Sequence, residues 1–235
     1  MKISAAIVTL NEERNIARAI GSLGFADEIV VVDSGSTDRT REIAAGLGAR
    51  VIEEPWRGYA AQKNFAAECA VNDWVLSLDA DEEVTGELAT EIKAITPQVN
   101  GYDMPRLARY RGRWIRHSGW YPDRKVRLYD RRRGAWKGEY VHESVRIEGP
   151  AGRLNGDLLH YTCDSLSEHL RTLDRYTTLA AKGVKPGGMG RLLFDPPWTF
   201  FRSYIIQRGF LDGFEGLAIA WMAALYTFLK YAKAR

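Results

Sequence analysis

Three apolar runs that stop abruptly in small polar or acidic residues constrain the fold of this chain more than any other feature. Ile3 to Leu10 ends in Thr9-Leu10-Asn11-Glu12, and Glu28 to Val32 ends in Asp33-Ser34-Gly35-Ser36-Thr37-Asp38. Trp74-Val75-Leu76-Ser77-Leu78 ends in Asp79-Ala80-Asp81. After the first two runs apolar residues return at helical spacing, Ile16, Ala19, Ile20 and Leu23, then Ile43, Ala44 and Leu47. Strand, polar tip and helix therefore alternate, which predicts a parallel sheet covered on both faces. In such a sheet a ligand lies beyond the carboxyl ends of the strands, where the polar tips converge.

The alternation predicts strands near 3–10, 28–33, 49–53 and 73–79, and helices near 12–23, 38–47, 60–70 and 85–95. Past Pro97 the pattern shortens into β-rich segments at 101–110, 124–130, 143–148 and 157–161. A helix is expected from an N-cap at Ser165, with Glu168 completing a capping box, to about Lys182, where Gly183 stops it. The Gly/Pro-rich stretch 183–197 reads as a connector to a last helical part. The expected organisation is one α/β domain, 1–183, with a nucleotide-binding half (1–105) and an acceptor and catalytic half (106–183), followed by a helical extension, 184–235.

Composition is that of a soluble globular protein, 46% hydrophobic and 27% charged. The amino terminus lacks a signal-peptide pattern, so a cytoplasmic protein is expected. Cys69 and Cys163 form neither a Cys-x-x-Cys nor a Cys/His cluster, which argues against zinc and a disulfide framework. Charge is segregated: residues 1–105 carry 9 basic and 18 acidic side chains, and residues 106–137 carry 12 and 2. A density of +10 in 32 residues, interleaved with aromatics, predicts a nearby anion. Arg113, Trp114, Trp120, Tyr121 and Arg124 are the candidates for an acceptor or anion site there.

Asp79 and Asp81 close a strand one residue apart, so period-two geometry would put both on one face to grip one hard divalent ion, Mg²⁺ or Mn²⁺. Asp33, as an ionised carboxylate, suits a ribose hydroxyl or a pyrimidine N–H. Gly35 supplies a turn conformation. Asp38 either caps a helix or meets the ligand. Lys63 is either a solvated helix residue or a positive charge at the site, and His160 is either a third metal ligand or a buried structural histidine.

The segments Ile7-Val8-Thr9-Leu10-Asn11-Glu12-Glu13, Val31-Val32-Asp33-Ser34-Gly35-Ser36-Thr37-Asp38, Gln62-Lys63-Asn64 and Leu78-Asp79-Ala80-Asp81-Glu82 together resemble the family 2 inverting glycosyltransferases of GT-A fold. Trp136-Lys137-Gly138-Glu139-Tyr140-Val141-His142-Glu143 and Gly209-Phe210-Leu211-Asp212-Gly213 look more narrowly like bacterial lipopolysaccharide core β-glucosyltransferases acting on inner-core heptose. The resemblance implies a Rossmann-like, mostly parallel sheet with flanking helices and a nucleotide-sugar donor, most often a UDP-sugar. It implies Thr9, Asn11, Glu12, Asp33 and Asp38 around the nucleoside. Asp79, Ala80 and Asp81 would lie at the diphosphate, with Asp81 the direct metal ligand. It also implies Glu143 as the base that deprotonates the acceptor hydroxyl, with His142 orienting acceptor or phosphates.

The processive Gln-x-x-Arg-Trp signature is absent, so transfer of one sugar per encounter is expected. Leu217–Leu229 is too short to span a bilayer; it suits either a core or dimer helix or one lying in the interface on the cytoplasmic face of the inner membrane. A polyprenyl-phosphate glycosyltransferase and a non-enzymatic basic module binding nucleic acid or anions are the rival readings. The second leaves Asp79 and Asp81 unexplained.

Overall fold

The computed structural model describes residues 1–138, 143–183 and 188–235. Its contacts divide the chain into two compact units, residues 1–106 with 124–160, and residues 107–123 with 161–235. These units cut the chain elsewhere than at residue 183.

The first strands and helices follow the predicted alternation: β1 (Ile3–Thr9), α1 (Ile16–Gly21), β2 (Glu28–Asp33), α2 (Thr40–Gly46), β3 (Arg50–Glu53), α3 (Tyr59–Cys69) and β4 (Trp74–Asp79). Next come β5 (Glu82–Val84), α4 (Gly86–Ala94), β6 (Gly101–Tyr110), β7 (Arg113–Trp114), β8 (Asp123–Asp130), β9 (Gly134–Lys137), β10 (Ser144–Ile147), β11 (Gly152–Arg153) and β12 (Leu158–Cys163). The chain ends in α5 (Leu166–Ala181), α6 (Met189–Phe201) and α7 (Gly213–Lys233).

The main sheet runs β3-β2-β1-β4-β8-β6-β12-β5. The β3-β2-β1-β4 part is parallel, whereas β8 joins β4 and β5 joins β12 antiparallel. β9 and β10 form a separate antiparallel pair. Only Ala80 and Asp81 separate β4 from β5, yet β5 lies at the far end of the strand order. A two-residue link spans roughly 10 Å at most, so the sheet must curl to bring its last strand beside the tip of β4. The three buried runs need both faces covered. Ile3, Ala5, Ile7, Val31, Leu76 and Leu78 pack in one cluster with α1 and α4 residues, and Ala6, Val30, Val32 and Val75 in another with α3 residues and Trp136.

In the second unit Ser165 and Glu168 form the expected capping box of α5. The expected connector 183–197 is instead largely helical, since α6 begins at Met189. Pro196 and Pro197 lie inside it and supply no N–H to the carbonyls of Leu192 and Leu193. A π-helical turn, Arg202–Ile206, and a 3-10 turn, Gly209–Asp212, lead into α7. Tyr110, Ile115, Ala218 and Ile219 form the core of this unit. No helix of the described residues is long and apolar enough to cross a membrane.

Candidate active site

Strands β1 and β2 pair in register from Ser4 with Glu28 to Thr9 with Asp33, so their polar tips meet side by side. Asn11, in a left-handed conformation (φ 55°) that asparagine tolerates, accepts at Oδ1 from the N–H of Thr37 at 2.8 Å. Its own N–H donates to Ser36 Oγ at 2.8 Å, and the Glu12 N–H donates to Thr40 Oγ1 at 2.8 Å. Asp33 is fully buried, accepting from the N–H groups of Gly35 (3.0 Å) and Ser36 (2.8 Å) and from the Ser36 hydroxyl. The structure therefore gives Asp33 the task of shaping the 33–37 loop, with Gly35 at φ 98° allowing the turn. Asp38 accepts from the Thr40 N–H and hydroxyl and from the Glu13 N–H. Desolvation opposes its ionisation, but these bonds together prevail and hold its carboxyl below the usual range. Beside it opens a groove of about 580 Å³ lined by Thr37, Asp38, Arg41, Val51 and Glu53 among others. The Thr9 hydroxyl is buried at the β1 tip with no partner.

Three consecutive residues of α3 tie the neighbouring parts together. Gln62 Nε2 donates to Ser34 Oγ (3.2 Å) and to the Glu54 carbonyl (3.1 Å). The ammonium of Lys63 lies 2.8 Å from Asp79 Oδ1 and 3.4 Å from Glu143 Oε1. Asn64 exchanges two hydrogen bonds with the backbone of Trp136, at 3.0 and 2.8 Å. This pins the Trp136 ring beneath two cations, Lys63 at 4.3 Å and Arg127 at 5.2 Å from its centroid.

Arg127 was not singled out by the sequence reading, and it is central. Almost wholly buried, it bonds Asp79 Oδ2 at 3.0 Å and Glu82 Oε1 at 2.6 Å, while its Nε and Nη1 have no partner. Burial opposes its charge, yet Glu82 and Asp79 hold it protonated beyond its ordinary range. Burial likewise disfavours the Asp79 carboxylate, but Arg127 and Lys63 prevail and keep it well below the usual carboxylate range. Arg106 adds a third cation 3.5 Å from Glu82. No single-residue signal could have found Arg127, because Lys125-Val126-Arg127-Leu128 reads as a strand with a solvent face. In the structure β8 lies beside β4 in the sheet, with Leu128 in one core cluster and Tyr129 in the other, so both faces of its second half are covered.

The expectation that Asp79 and Asp81 share one strand face does not hold. Asp79 ends β4, whereas Ala80 and Asp81 form the turn before β5, where strand periodicity no longer applies. Asp79 faces Lys63 and Arg127, while Asp81 Oδ2 lies 3.2 Å from His160 Nε2. The register of His160 opposite Glu82 brings them together. Glu12 is close enough for Asp81 and Asp38 to add to the burial that raises its carboxyl above the ordinary value.

Among the described residues no group of three or more His, Cys, Asp or Glu side chains is arranged to hold a metal ion. The Asp81–His160 pair is a partial donor set. That suits a hard divalent cation taking its other ligands from phosphate oxygens and water, as Mg²⁺ commonly does. Glu143 Oε1 faces Lys63, and its Oε2 is buried without a partner. His142 lies outside the described residues.

The aromatic and basic candidates between 106 and 137 each have partners within the protein. Arg124 is committed to Asp103 and to the carbonyls of Asp103 and Leu154. Trp120 packs on Tyr110, Trp114 on Tyr161, and Tyr121 lies beneath Arg116. Arg113 reaches the Leu211 carbonyl at 3.4 Å. Much of the anionic charge that this segment demands comes from the protein itself. Arg106, Arg124, Arg127, Arg131, Arg132 and Arg133 all pair with its own carboxylates. The segment alone hides those acids, since they come from 73–103 and from Glu148.

Residues 4–148 match the model of glycosyl transferase family 2. An uncharacterized glycosyltransferase of Rickettsia typhi is 37% identical over 253 residues, spanning all of this chain and 87% of its own. The lipopolysaccharide core biosynthesis glycosyltransferase LpsC of Rhizobium meliloti is 35% identical over 247 residues, 99% of this chain and 92% of its own. Among solved structures, S. aureus TarS superposes with a TM-score of 0.50 at 15% identity, covering 89% of this chain and 45% of that one, a likeness of fold.

Proposed function

This chain belongs to glycosyl transferase family 2 and is a glycosyltransferase of GT-A fold, and we propose that it moves one sugar, with inversion, from a nucleotide-sugar donor, a UDP-hexose, to a hydroxyl of a lipopolysaccharide-core or other lipid-linked glycan. The observation that carries this reading is the Lys63 ammonium standing between Asp79 and Glu143, residues 16 and 80 positions away in sequence. It joins the strand tip suited to a diphosphate with a carboxylate oxygen that has no partner and can accept a proton.

The β1 and β2 tips, with the free Thr9 hydroxyl and the groove beside Asp38, receive the nucleoside. Lys63 and Arg127 set positive charge where the diphosphate accumulates negative charge as it leaves. Asp81 and His160 would hold Mg²⁺ or Mn²⁺, which when bound neutralises that leaving group as a Lewis acid. Glu143 takes the proton from the acceptor hydroxyl as the oxygen attacks the anomeric carbon from the face opposite the departing nucleotide. Trp136 floors the site and keeps its cations fixed, so little reorganisation accompanies charge transfer. The acceptor class rests on the name of the Rhizobium relative.

The test is a screen of UDP-glucose, UDP-galactose, UDP-N-acetylglucosamine and dTDP-sugars for nucleotide release, with divalent cation or chelator, followed by NMR of the anomeric configuration. Release from at least one donor, loss of turnover on chelation and in Asp81→Ala, and an inverted product are expected. Turnover that persists in Asp81→Ala would remove the metal from the reaction. A retained configuration would remove Glu143 as the base in direct displacement.

A further inference from the structure

The second unit carries an apolar face that its own core does not need. None of the 13 residues of α6 is buried. Phe194, Trp198, Phe201 and Ile205 follow one another at i, i+4, i+7 and i+11, and are 73%, 58%, 44% and 45% exposed. That spacing places a stripe of large apolar side chains along one side of α6 and the turn that continues it. Phe214 and Trp221, at the start and middle of α7, are exposed to 57% and 62%. An isolated exposed Leu or Phe needs no explanation, but a continuous stripe with two aromatics on the adjacent helix marks a surface that is covered in use.

Charge identifies what covers it. Between residues 189 and 228 every exposed charged side chain is an arginine, namely Arg191, Arg202 and Arg208. The acids of the same stretch are withdrawn: Asp212 is buried against His117, and Asp195 and Glu215 are partly covered. Over 189–235 the sequence holds 6 basic and 3 acidic residues, a net +3. An apolar face whose neighbouring exposed charges are all positive disfavours a second copy of itself, because a two-fold pairing would bring the same arginines together. It matches a surface that offers hydrocarbon at its centre and negative charge at its rim. No helix of the described residues can cross a bilayer, so the contact is one of lying on the membrane.

We propose that the α6 stripe, with Phe214 and Trp221 of α7 and the exposed arginines, is a docking surface for an anionic lipid bilayer. Aromatic rings sit at the headgroup level and the arginines meet lipid phosphates. Leaving the membrane therefore requires neither unfolding nor a chemical step, and association is reversible and salt-dependent.

The experiment is sedimentation of the full chain with vesicles of phosphatidylcholine alone or with about one-third phosphatidylglycerol, at low salt and at about 0.5 M salt. The wild type is expected to partition into the anionic vesicles, with about tenfold weaker binding to neutral vesicles and a similar loss in high salt. A Phe194→Ser/Trp198→Ser/Phe201→Ser variant loses binding by about tenfold or more while keeping its melting temperature, since none of the three is buried. Arg191→Glu/Arg202→Glu loses the preference for anionic lipid. A wild type that stays in solution with both vesicle types overturns the proposal. So does a lipid-free dimer, seen by analytical ultracentrifugation, that the triple substitution turns into a monomer. The lipid and salt arms use the wild type alone, so a variant that fails to fold leaves the question decided. Donor turnover plays no part in the readout, so a failure here is separate from a failure of the assigned reaction.

Discussion

Replacing Glu143 by glutamine leaves the shape of the site intact and removes the only function assigned to its unpartnered oxygen, the uptake of a proton. Turnover in Glu143→Gln is expected to fall by about 10²- to 10⁴-fold with an almost unchanged melting temperature, measured by nucleotide release and thermal denaturation. Arg127→Met shows the opposite balance. Methionine fills much of the volume but takes the nearest cation from both Glu82 and Asp79, leaving buried Glu82 with Arg106 alone at 3.5 Å, so a loss of about 3 kcal/mol in urea unfolding is expected. Lys63 softens this by keeping one ion pair to Asp79. The difference between these residues also explains what sequence could reveal. Glu143, Asp79 and Lys63 sit in short segments that carry the family resemblance. Arg127 matters because of what the fold sets against it, and nothing local distinguishes it from a surface residue.

At the level of elements, periodicity found the first four strands and four helices because each has one apolar period and a polar tip. It missed β5, a three-residue strand whose identity depends wholly on β12. It also took the Pro-containing stretch before Trp198 for a connector, since local propensity argues against proline inside a helix while packing against α7 sustains one. The junction of the 3-10 turn with α7 depends on glycine for reasons of space. A Cβ on Gly216 would stand 1.8 Å from the Gly209 carbonyl oxygen, and on Gly209 it would stand 2.6 Å from Ser118 Oγ. Gly216→Ala must push backbone away from backbone, and a destabilisation above about 2 kcal/mol is expected by chemical denaturation. Gly190→Ala in α6, with nothing within 4 Å of its Cβ, is the control.

Across the whole molecule, ionisation couples stability to pH in two opposing senses. Asp79, held below the usual carboxylate range against the effect of its burial, and Asp130, lowered by its hydrogen bonds with Arg132, stabilise the fold above the ordinary carboxylate value near about 4 and lose that contribution as pH falls below it. Glu12 is raised by burial and by nearby Asp81 and Asp38, so its contribution is present at low pH and is lost as pH rises through its elevated value. The melting temperature is therefore expected to drop on acidification below about pH 4. Glu12→Gln should raise it at pH 7 and leave it nearly unchanged at the acid end, as scanning calorimetry across pH would show. A stabilising substitution that impairs donor affinity would mark Glu12 as a residue kept for binding at the expense of stability.

The Ala80–Asp81 link joins a central strand of the sheet to its last one, and its length works as a calliper. Lengthen it by one residue and β4 and β5 can each keep their hydrogen-bonded partners, while the gap between Asp81 and the imidazole across from it goes out of gauge. Tolerance to insertion, normally high in surface turns, should therefore be low for activity at this one.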